Sequence, residues 1–375
     1  MTSIDLGEKQ RPGHVRDAIL TTLATSENPE VPLAQITQIV THRLGQTVPL
    51  SSIRSSLNHN VGKGISRIER GLYALTSRVD EKHRPDYTWK NSSLFFDDCF
   101  HWMRRQPENS IHAVVTDPPY GIVEYSEKEQ RKLKSGHGGV WRMPPKLDGK
   151  QRSPLPRFTT LTAAELDALV DFFTDWAKEV KRVLVPGANV IVACNPLLSH
   201  RVSVALDEGG LERRGELIRI VQTLRGGDRP KGAHEEFRDV SVMPRSQWEP
   251  WLIYRKPLDG TVAQNLAKWG TGGFRRISEE QPFGDVIKAG PARGKERQIA
   301  AHPSLKPQSL MRKLVRASLP LGSGVVLDPF AGSGSTLAAA EAVGYRSIGI
   351  ERDPDYFNIA TQSIPQLSQI SVPAE

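Results

Sequence analysis

Apolar residues recur at helical spacing in three runs near the start of the chain: Val15, Ile19, Leu20 and Leu23; Leu33, Ile36, Ile39, Val40 and Leu44; and Ile53 with Leu57. Asn28-Pro29, Gly45 and Gly62 supply stops, and a serine of Pro49-Leu50-Ser51-Ser52 is expected to cap the third helix. From Ile65 to Thr76 the apolar period becomes two, with a turn at Arg70-Gly71, which predicts a hairpin. Three helices followed by a hairpin predict a winged helix-turn-helix module over residues 1–80. In that fold the third helix enters the major groove, so Ser52, Arg54, Ser55 and Asn58 are candidate DNA readers. The same pattern also suits a protein-interaction module with a solvated polar face. A polar stretch over 81–90, containing Pro85, reads as a linker.

From 91 to 375 the pattern is that of a second, larger domain. Leu94-Phe95-Phe96 and residues 111–116 are apolar runs that read as buried strands, and residues 161–184 read as a long helix. Strands are expected at 189–194, 215–224 and 248–255, then strand, helix and strand at 324–328, 335–343 and 346–351. This alternation predicts a mostly parallel sheet with helices on both faces. Residues 121–158 and 225–301, apart from the strand at 248–255, do not fit it. They are rich in Gly, Pro, Arg and Lys and are too long for ordinary connections, so they read as functional loops or insertions. The first carries nine Lys and Arg against four Asp and Glu, which with Trp141 suits a grip on a phosphate backbone.

Composition narrows the classes. A chain of 375 residues, 38% hydrophobic, holds one large α/β core plus an accessory module. No apolar run is long enough to cross a membrane and the polar start Met1–Arg11 is no signal peptide, so a cytoplasmic location without a membrane partner is expected. Cys99 and Cys194 sit far apart without a partner motif, which argues against a disulfide scaffold and a Cys-based zinc site. The formal charge of +8 is spread along the chain and fits a basic surface for nucleic acid, an acidic partner or plain solubility.

Candidate chemistry begins directly after the strand ending at Thr116, with Asp117-Pro118-Pro119-Tyr120. The exocyclic amine of a nucleobase is a poor nucleophile because its lone pair is delocalised into the ring. The Asp117 carboxylate and the Pro118 carbonyl can accept the two amino hydrogens and aim that lone pair at a methyl donor. The prolines stiffen the loop, and Tyr120 offers a stacking face for an extruded base. By composition alone the tetrapeptide could also be a turn. Its place at the end of a parallel strand, where open α/β sheets bind ligands, favours the functional reading.

The second motif runs from Leu327 through Asp328, Phe330, Gly332, Gly334, Ser335 and Thr336, between a strand and a helix. The glycines allow a tight turn and close approach of backbone to ligand. The third glycine of a dinucleotide loop and the Gly-Lys pair of a phosphate loop are both missing. One strand later Glu351 is placed to accept hydrogen bonds from ribose hydroxyls.

Together these motifs resemble the β group of amino-group DNA methyltransferases, in which the catalytic motif precedes the cofactor motif; the resemblance spans about 90–363. It implies a Rossmann-like, S-adenosylmethionine-dependent methyltransferase sheet. In that family Phe330, Gly332, Gly334 and Glu351 match cofactor-binding positions. His302-Pro303-Ser304-Leu305-Lys306-Pro307 matches the His-Pro-Thr-x-Lys-Pro segment, so His302, Ser304 and Lys306 are placed near the methionine part of the cofactor. Asp98 and Cys99 match the segment approaching the cofactor adenine, with Asp97 in place of its glycine, a substitution that conflicts with any positive φ there. The resemblance also makes 225–301 the target-recognition region, with Arg225, Arg229, Arg275 and Arg276 as candidate DNA contacts. The first segment resembles winged helix-turn-helix modules attached to bacterial DNA-modifying enzymes.

The implied function is transfer of a methyl group from S-adenosylmethionine to adenine N6 in double-stranded DNA, without a metal. Asp117, where cytosine-acting members tend to carry serine, favours adenine over cytosine N4. Cytosine C5 chemistry would need a Pro-Cys nucleophile, and Cys194 follows alanine instead. An inactive DNA-binding regulator and an RNA or protein-amide methyltransferase are the more distant readings. The sequence leaves open the recognition site, a cognate restriction endonuclease as partner, and monomer against homodimer.

Overall fold

The computed structural model describes residues 13–26, 28, 30–45, 47–76, 84–126, 128–129, 131–132, 140–142, 155–221, 226–302 and 304–372. The chain forms two compact units, Met1–Pro85 and Asp86–Glu375.

In the first unit helices α1 (His14–Thr25), α2 (Leu33–Leu44) and α3 (Leu50–Asn60) accompany strands β1 (Val31–Pro32), β2 (Ile65–Glu69) and β3 (Leu72–Leu75), in the sheet order β1-β3-β2. The helical apolar stripe is the core: Ile19, Leu23, Ile36, Val40, Ile53 and Leu57 are fully buried against one another and Tyr73. One expectation fails here, and one element was not foreseen. The serine cap of α3 is not made, since Pro49 holds the cap position without a side-chain bond and Ser51 and Ser52 lie inside the helix. Strand β1 has no counterpart in the sequence pattern, because two residues are too few to show a period; Val31 pairs with Tyr73.

The second unit is built on a nine-stranded mixed sheet, in the order β12-β10-β11-β9-β6-β13-β14-β5-β4. In chain order its elements are β4 (Tyr87–Trp89), β5 (Ser92–Phe96), α4 (Cys99–Arg104), β6 (Ile111–Thr116), a separate pair β7 (Trp141–Arg142) and β8 (Leu155–Pro156), α5 (Ala163–Val183), β9 (Leu184–Ala193), α6 (Ser199–Glu208), β10 (Glu212–Ile220), β11 (Trp248–Arg255), α7 (Val262–Trp269), β12 (Val286–Lys288), α8 (Lys295–Ile299), α9 (Gln308–Ser318), β13 (Val325–Asp328), α10 (Ser335–Ala342), β14 (Arg346–Glu351) and α11 (Pro354–Gln369). Strands β9, β6, β13, β14 and β5 run parallel, while β11 and β4 run against their neighbours. Alternate residues of the central strands feed two cores. Val114, Val190 and Val192 pack with Phe173, Trp176 and Val180 of α5, and Ala113, Val115 and Ile191 pack with Leu310, Met311 and Leu314 of α9. Burial of both faces is why these strands read as continuous apolar runs.

The edges depart from expectation. β10 begins and ends earlier than 215–224, and 222–224 fall outside the described residues. The stretch expected to be irregular over 225–301 contains α7, β12 and α8. α7 opens with a Thr261/Gln264 capping box and closes at Gly270 in the left-handed region. Its fully buried Asn265 ties it down by donating to the Pro186 and Thr271 carbonyls at 3.0 and 2.8 Å. The Trp141 indole likewise turns inward, donating to the Glu124 carbonyl at 2.9 Å.

Candidate active site

Because β5, β14, β13 and β6 are parallel, their C-terminal ends share one edge of the sheet, and each ends in a carboxylate: Asp97-Asp98, Glu351, Asp328 and Asp117 follow in that order. Antiparallel β11 starts where these strands finish, so Glu249 near its beginning reaches the same edge. β10, paired to β11 in the opposite sense, delivers Arg219 opposite Glu249.

Asp117 and Tyr120 are joined by a charged cluster. The Lys306 ammonium, itself 8% exposed, donates to Asp117 Oδ2 at 2.5 Å and to the Tyr120 hydroxyl at 3.2 Å, and lies 3.4 Å from Glu249 Oε1. The Tyr120 hydroxyl donates to Glu249 Oε1 at 3.0 Å. Glu249 Oε2 accepts from Arg219 Nη1 at 2.9 Å and from the Trp251 indole at 3.2 Å. Arg219 is locked in turn by the Ala289 and Gly290 carbonyls. Burial pushes the Asp117 carboxyl above the usual range, with Lys306 opposing and Glu249 reinforcing the shift. Burial also acts upward on Glu249, but Lys306 and Arg219 outweigh it and hold that carboxyl at about 2. Asp117 Oδ1 is buried and, among the described residues, has no hydrogen-bond partner. A buried acceptor without a donor is costly in a folded protein unless something else supplies the donor.

The glycine turn follows β13, the strand next to β6, and so lies beside Asp117 at the same edge of the sheet. Gly332 and Gly334 have φ of 51° and 75°, a region that only glycine enters freely. The Gly332 amide donates to Glu351 Oε2 at 2.8 Å and the Asp353 amide to Oε1 at 2.7 Å, which aligns the carboxylate at the strand end. Burial raises its proton affinity. Asp328 takes the Thr116 hydroxyl at 2.6 Å and the Phe330 amide at 3.1 Å, so it braces the turn against β6; burial pushes its carboxyl up to about 6. The Phe330 ring packs 6.0 Å from that of Trp176. His302, its imidazole held down at about 4 by burial and by Lys306 and Arg297, rests edge-on to Tyr356 beside Gly332. Ser304 donates its amide to His302 Nδ1 at 3.2 Å. Buried Ser335 and Thr336 open α10, and the Ser335 carbonyl accepts from Gln308 at 2.9 Å.

Asp98 caps the first turn of α4, accepting the Phe100 and His101 amides at 3.0 and 3.3 Å. Cys99 is buried, and burial drives its thiol far above its ordinary value. Asp97 is not at positive φ, so the conflict expected from the missing glycine does not arise. Its carboxylate pairs with Arg105 and His101.

The candidate basic contacts separate. Arg54 and Asn58 are exposed on α3, and Arg229 and Arg276 are exposed in the second unit. Arg275 is turned inward, half-buried, donating to the Tyr345 hydroxyl at 2.6 Å. Arg225 lies outside the described residues. Glu249 and Arg219 were missed by sequence reasoning. The signal was present: a carboxylate and a guanidinium inside the apolar runs Trp248–Arg255 and Leu217–Ile220. Among the described residues no cluster of three or more His, Cys, Asp or Glu could hold a metal, and no helix is long and apolar enough to cross a membrane.

Comparison with known proteins gives a match of residues 111–362 to the family model described as DNA methylase, of the N6/N4 type. The chain is 26% identical over 298 residues to the type II methyltransferase M.HindIII of Haemophilus influenzae, covering 72% of this chain and 94% of that one. It is 21% identical over 281 residues to M2.DpnII of Streptococcus pneumoniae, covering 75% and 92%. Among solved structures, the cytosine-N4-specific PvuII DNA methyltransferase aligns with a TM-score of 0.49 at 18% identity, over 76% of this chain and 94% of that one. A DNA modification methylase of Thermus thermophilus complexed with S-adenosyl-L-methionine aligns with a TM-score of 0.44 at 22% identity, over 74% and 95%.

Proposed function

The chain belongs to the N6/N4 DNA methylase family, a family of S-adenosylmethionine-dependent DNA methyltransferases, and from that premise we propose that it methylates adenine N6 in double-stranded DNA at a specific site. The observation that carries the proposal is the buried, unpartnered Oδ1 of Asp117 at the end of β6. An amino hydrogen of a flipped base is the donor it lacks, with the Pro118 carbonyl as acceptor for the other. A carboxylate at this position, where cytosine-acting members tend to carry serine, supports adenine.

The residues present fit the cofactor. Glu351 holds its carboxylate at the end of β14 with lone pairs remaining for ribose hydroxyls, and the absence of a side chain at Gly332 leaves a cradle that a Cβ would crowd to within 3.3 Å of His302. Bound there, S-adenosylmethionine supplies a methyl group already activated on a sulfonium. The protein's own work is to orient the acceptor and receive a proton. Tyr120, its hydroxyl anchored by Glu249 and Lys306, presents a fixed ring for stacking. Asp117, whose proton affinity burial raises, is placed to accept the proton that the amino nitrogen sheds. Arg54 and Asn58 of α3, with Arg229 and Arg276, are proposed DNA contacts; Arg275, committed to Tyr345, is withdrawn from that set. A restriction endonuclease cutting the same site is the proposed partner, in keeping with the type II naming of the relatives.

The test is modified-base sequencing of DNA from cells expressing the protein. N6-methyladenine in one sequence context is expected; N4-methylcytosine instead would overturn the choice of base. Asp117→Ala should reduce incorporation of tritiated methyl groups by about 10²–10⁴-fold, the range for losing a positioned acid or base, while S-adenosylmethionine still binds. Full activity in that variant would end the catalytic assignment.

A further inference from the structure

Of the charged residues behind Asp117 only Lys306 belongs to a segment singled out in the sequence, and together they treat the two oxygens of Asp117 differently. Oδ2 is taken by Lys306 at 2.5 Å, and Oδ1 is left without a partner among the described residues. What fixes Lys306 in that position is Glu249, which lies 3.4 Å from its ammonium and also accepts from the hydroxyl of Tyr120. Glu249 cannot swing away, because Arg219 and the Trp251 indole hold its other oxygen. Arg219, 6% exposed in its side chain, is tied to two backbone carbonyls of the segment after β12. The cluster therefore runs from a rigid backbone through Arg219, Glu249 and Lys306 to the two side chains assigned to the target base.

We propose that Glu249, locked by Arg219, is a positioning residue for methyl transfer: it clamps Lys306 onto one oxygen of Asp117 and Tyr120 into its stacking pose, so that the other Asp117 oxygen is presented to the amino group. The inference rests on the reading of Asp117 and Tyr120 given above. A carboxylate with both oxygens free could rotate and offer either lone pair; one pinned by an ammonium offers a single direction. Removing Glu249 frees Lys306 to move, loosens Tyr120, and leaves Arg219 as an uncompensated buried cation.

The charges add a signature that simple packing would not produce. Asp117 faces Lys306, Glu249 and Tyr120, with Asp328 at the end of β13 and Cys194 just after β9 close by. Glu249 favours protonated Asp117 and Lys306 favours the carboxylate. If transfer needs the carboxylate, Glu249→Gln should move the acid limb of the rate profile to lower pH and Lys306→Met should move it to higher pH.

The experiment is single-turnover methylation of PCR-amplified bacterial genomic DNA with tritiated S-adenosylmethionine, across pH, for the wild type, Glu249→Gln, Lys306→Met and Asp117→Ala. Calorimetric cofactor binding and melting temperature accompany each. Glu249→Gln keeps the shape and an acceptor for Tyr120, so it is expected to fold and bind cofactor while slowing transfer roughly 10–100-fold, the scale of a misplaced reacting group. Opposite shifts of the acid limb in the two charge variants support the proposal. A wild-type rate and unmoved limb in folded Glu249→Gln overturn it. Should that variant fail to fold, Arg219→Gln, which unlocks Glu249 without removing a group bonded to Asp117, decides: slowed transfer with cofactor binding retained supports the clamp and a wild-type rate overturns it. Full transfer by Asp117→Ala would instead overturn the underlying reading of the site, so the two failures are separable.

Discussion

Asp328 and His302 titrate across the same span of pH with opposite consequences. The Asp328 carboxyl stands at about 6 in the fold against 3.8 for the free group, so the folded state holds the extra proton between those values and stability is lost as pH rises through them. The His302 imidazole stands at about 4 against 6.5, so the unfolded state holds the extra proton and stability is lost as pH falls from 6.5 to 4. At 1.36 kcal/mol per unit each contributes about 3 kcal/mol, and in the wild type the two largely offset. Asp328→Asn should unmask the histidine, so that the melting temperature falls more steeply than wild type between pH 6.5 and 4.5. His302→Gln should do the reverse and unmask Asp328, so that relative to wild type the melting temperature drops as pH rises from 4 to 6. Melting curves parallel to wild type in both variants would show that neither group carries these shifts. Of these residues Asp117, Asp328 and His302 were legible because each stands in a motif whose spacing constrains it. Glu249 and Arg219 were not, because a charge within a strand has meaning only once the strand opposite is known, and these two, 30 residues apart in sequence, meet only when β10 pairs with β11.

The elements near the sheet centre were legible for a physical reason: strands buried on both faces carry unbroken apolar runs. Where the bounds were missed, tertiary structure overrides the local signal. Strand β9 begins five residues before the expected 189 and takes in Pro186 and Gly187, where Gly187 at φ of 76° coincides with a register shift against β6. The cofactor turn shows the reverse, a local signal that the fold uses directly, and its two glycines should respond differently to alanine. A Cβ on Gly334 would fall 2.5 Å from Ile364 of α11, in the core, so Gly334→Ala should lower stability by more than about 1–2 kcal/mol, the cost of left-handed backbone for a residue with a side chain. A Cβ on Gly332 would meet the His302 ring edge at 3.3 Å and the Phe330 carbonyl oxygen at an ordinary 3.9 Å. Gly332→Ala should therefore lose cofactor affinity out of proportion to its loss in melting temperature. Calorimetric titration beside thermal melting measures both, and equal ratios in the two variants would contradict this division.

At the scale of the whole molecule the question is what the first unit contributes. Its core is self-contained, closed by Ile19, Leu23, Ile36, Val40, Ile53, Leu57 and Tyr73, and the larger unit has cores of its own on both faces of its sheet. Residues 86–375 alone should thus still bind S-adenosylmethionine with wild-type affinity. DNA binding should change in a way that identifies the contact. Residues 1–85 carry eleven Lys and Arg against eight Asp and Glu, and Arg54, Lys63, Arg67 and Arg70 are exposed on α3 and the hairpin. If this face lies on a duplex, each phosphate it neutralises adds about 0.9 to the slope of log affinity against log salt, so the truncated protein should show both weaker binding and a shallower slope. Arg54→Ala and Asn58→Ala in the full chain separate the two kinds of contact. A phosphate contact weakens binding equally on all sequences, whereas a base contact costs about 1–3 kcal/mol on the methylated site alone. An unchanged slope after truncation would make the exposed polar side of α3 a surface for protein, and would leave DNA recognition to the segments between β10 and α9.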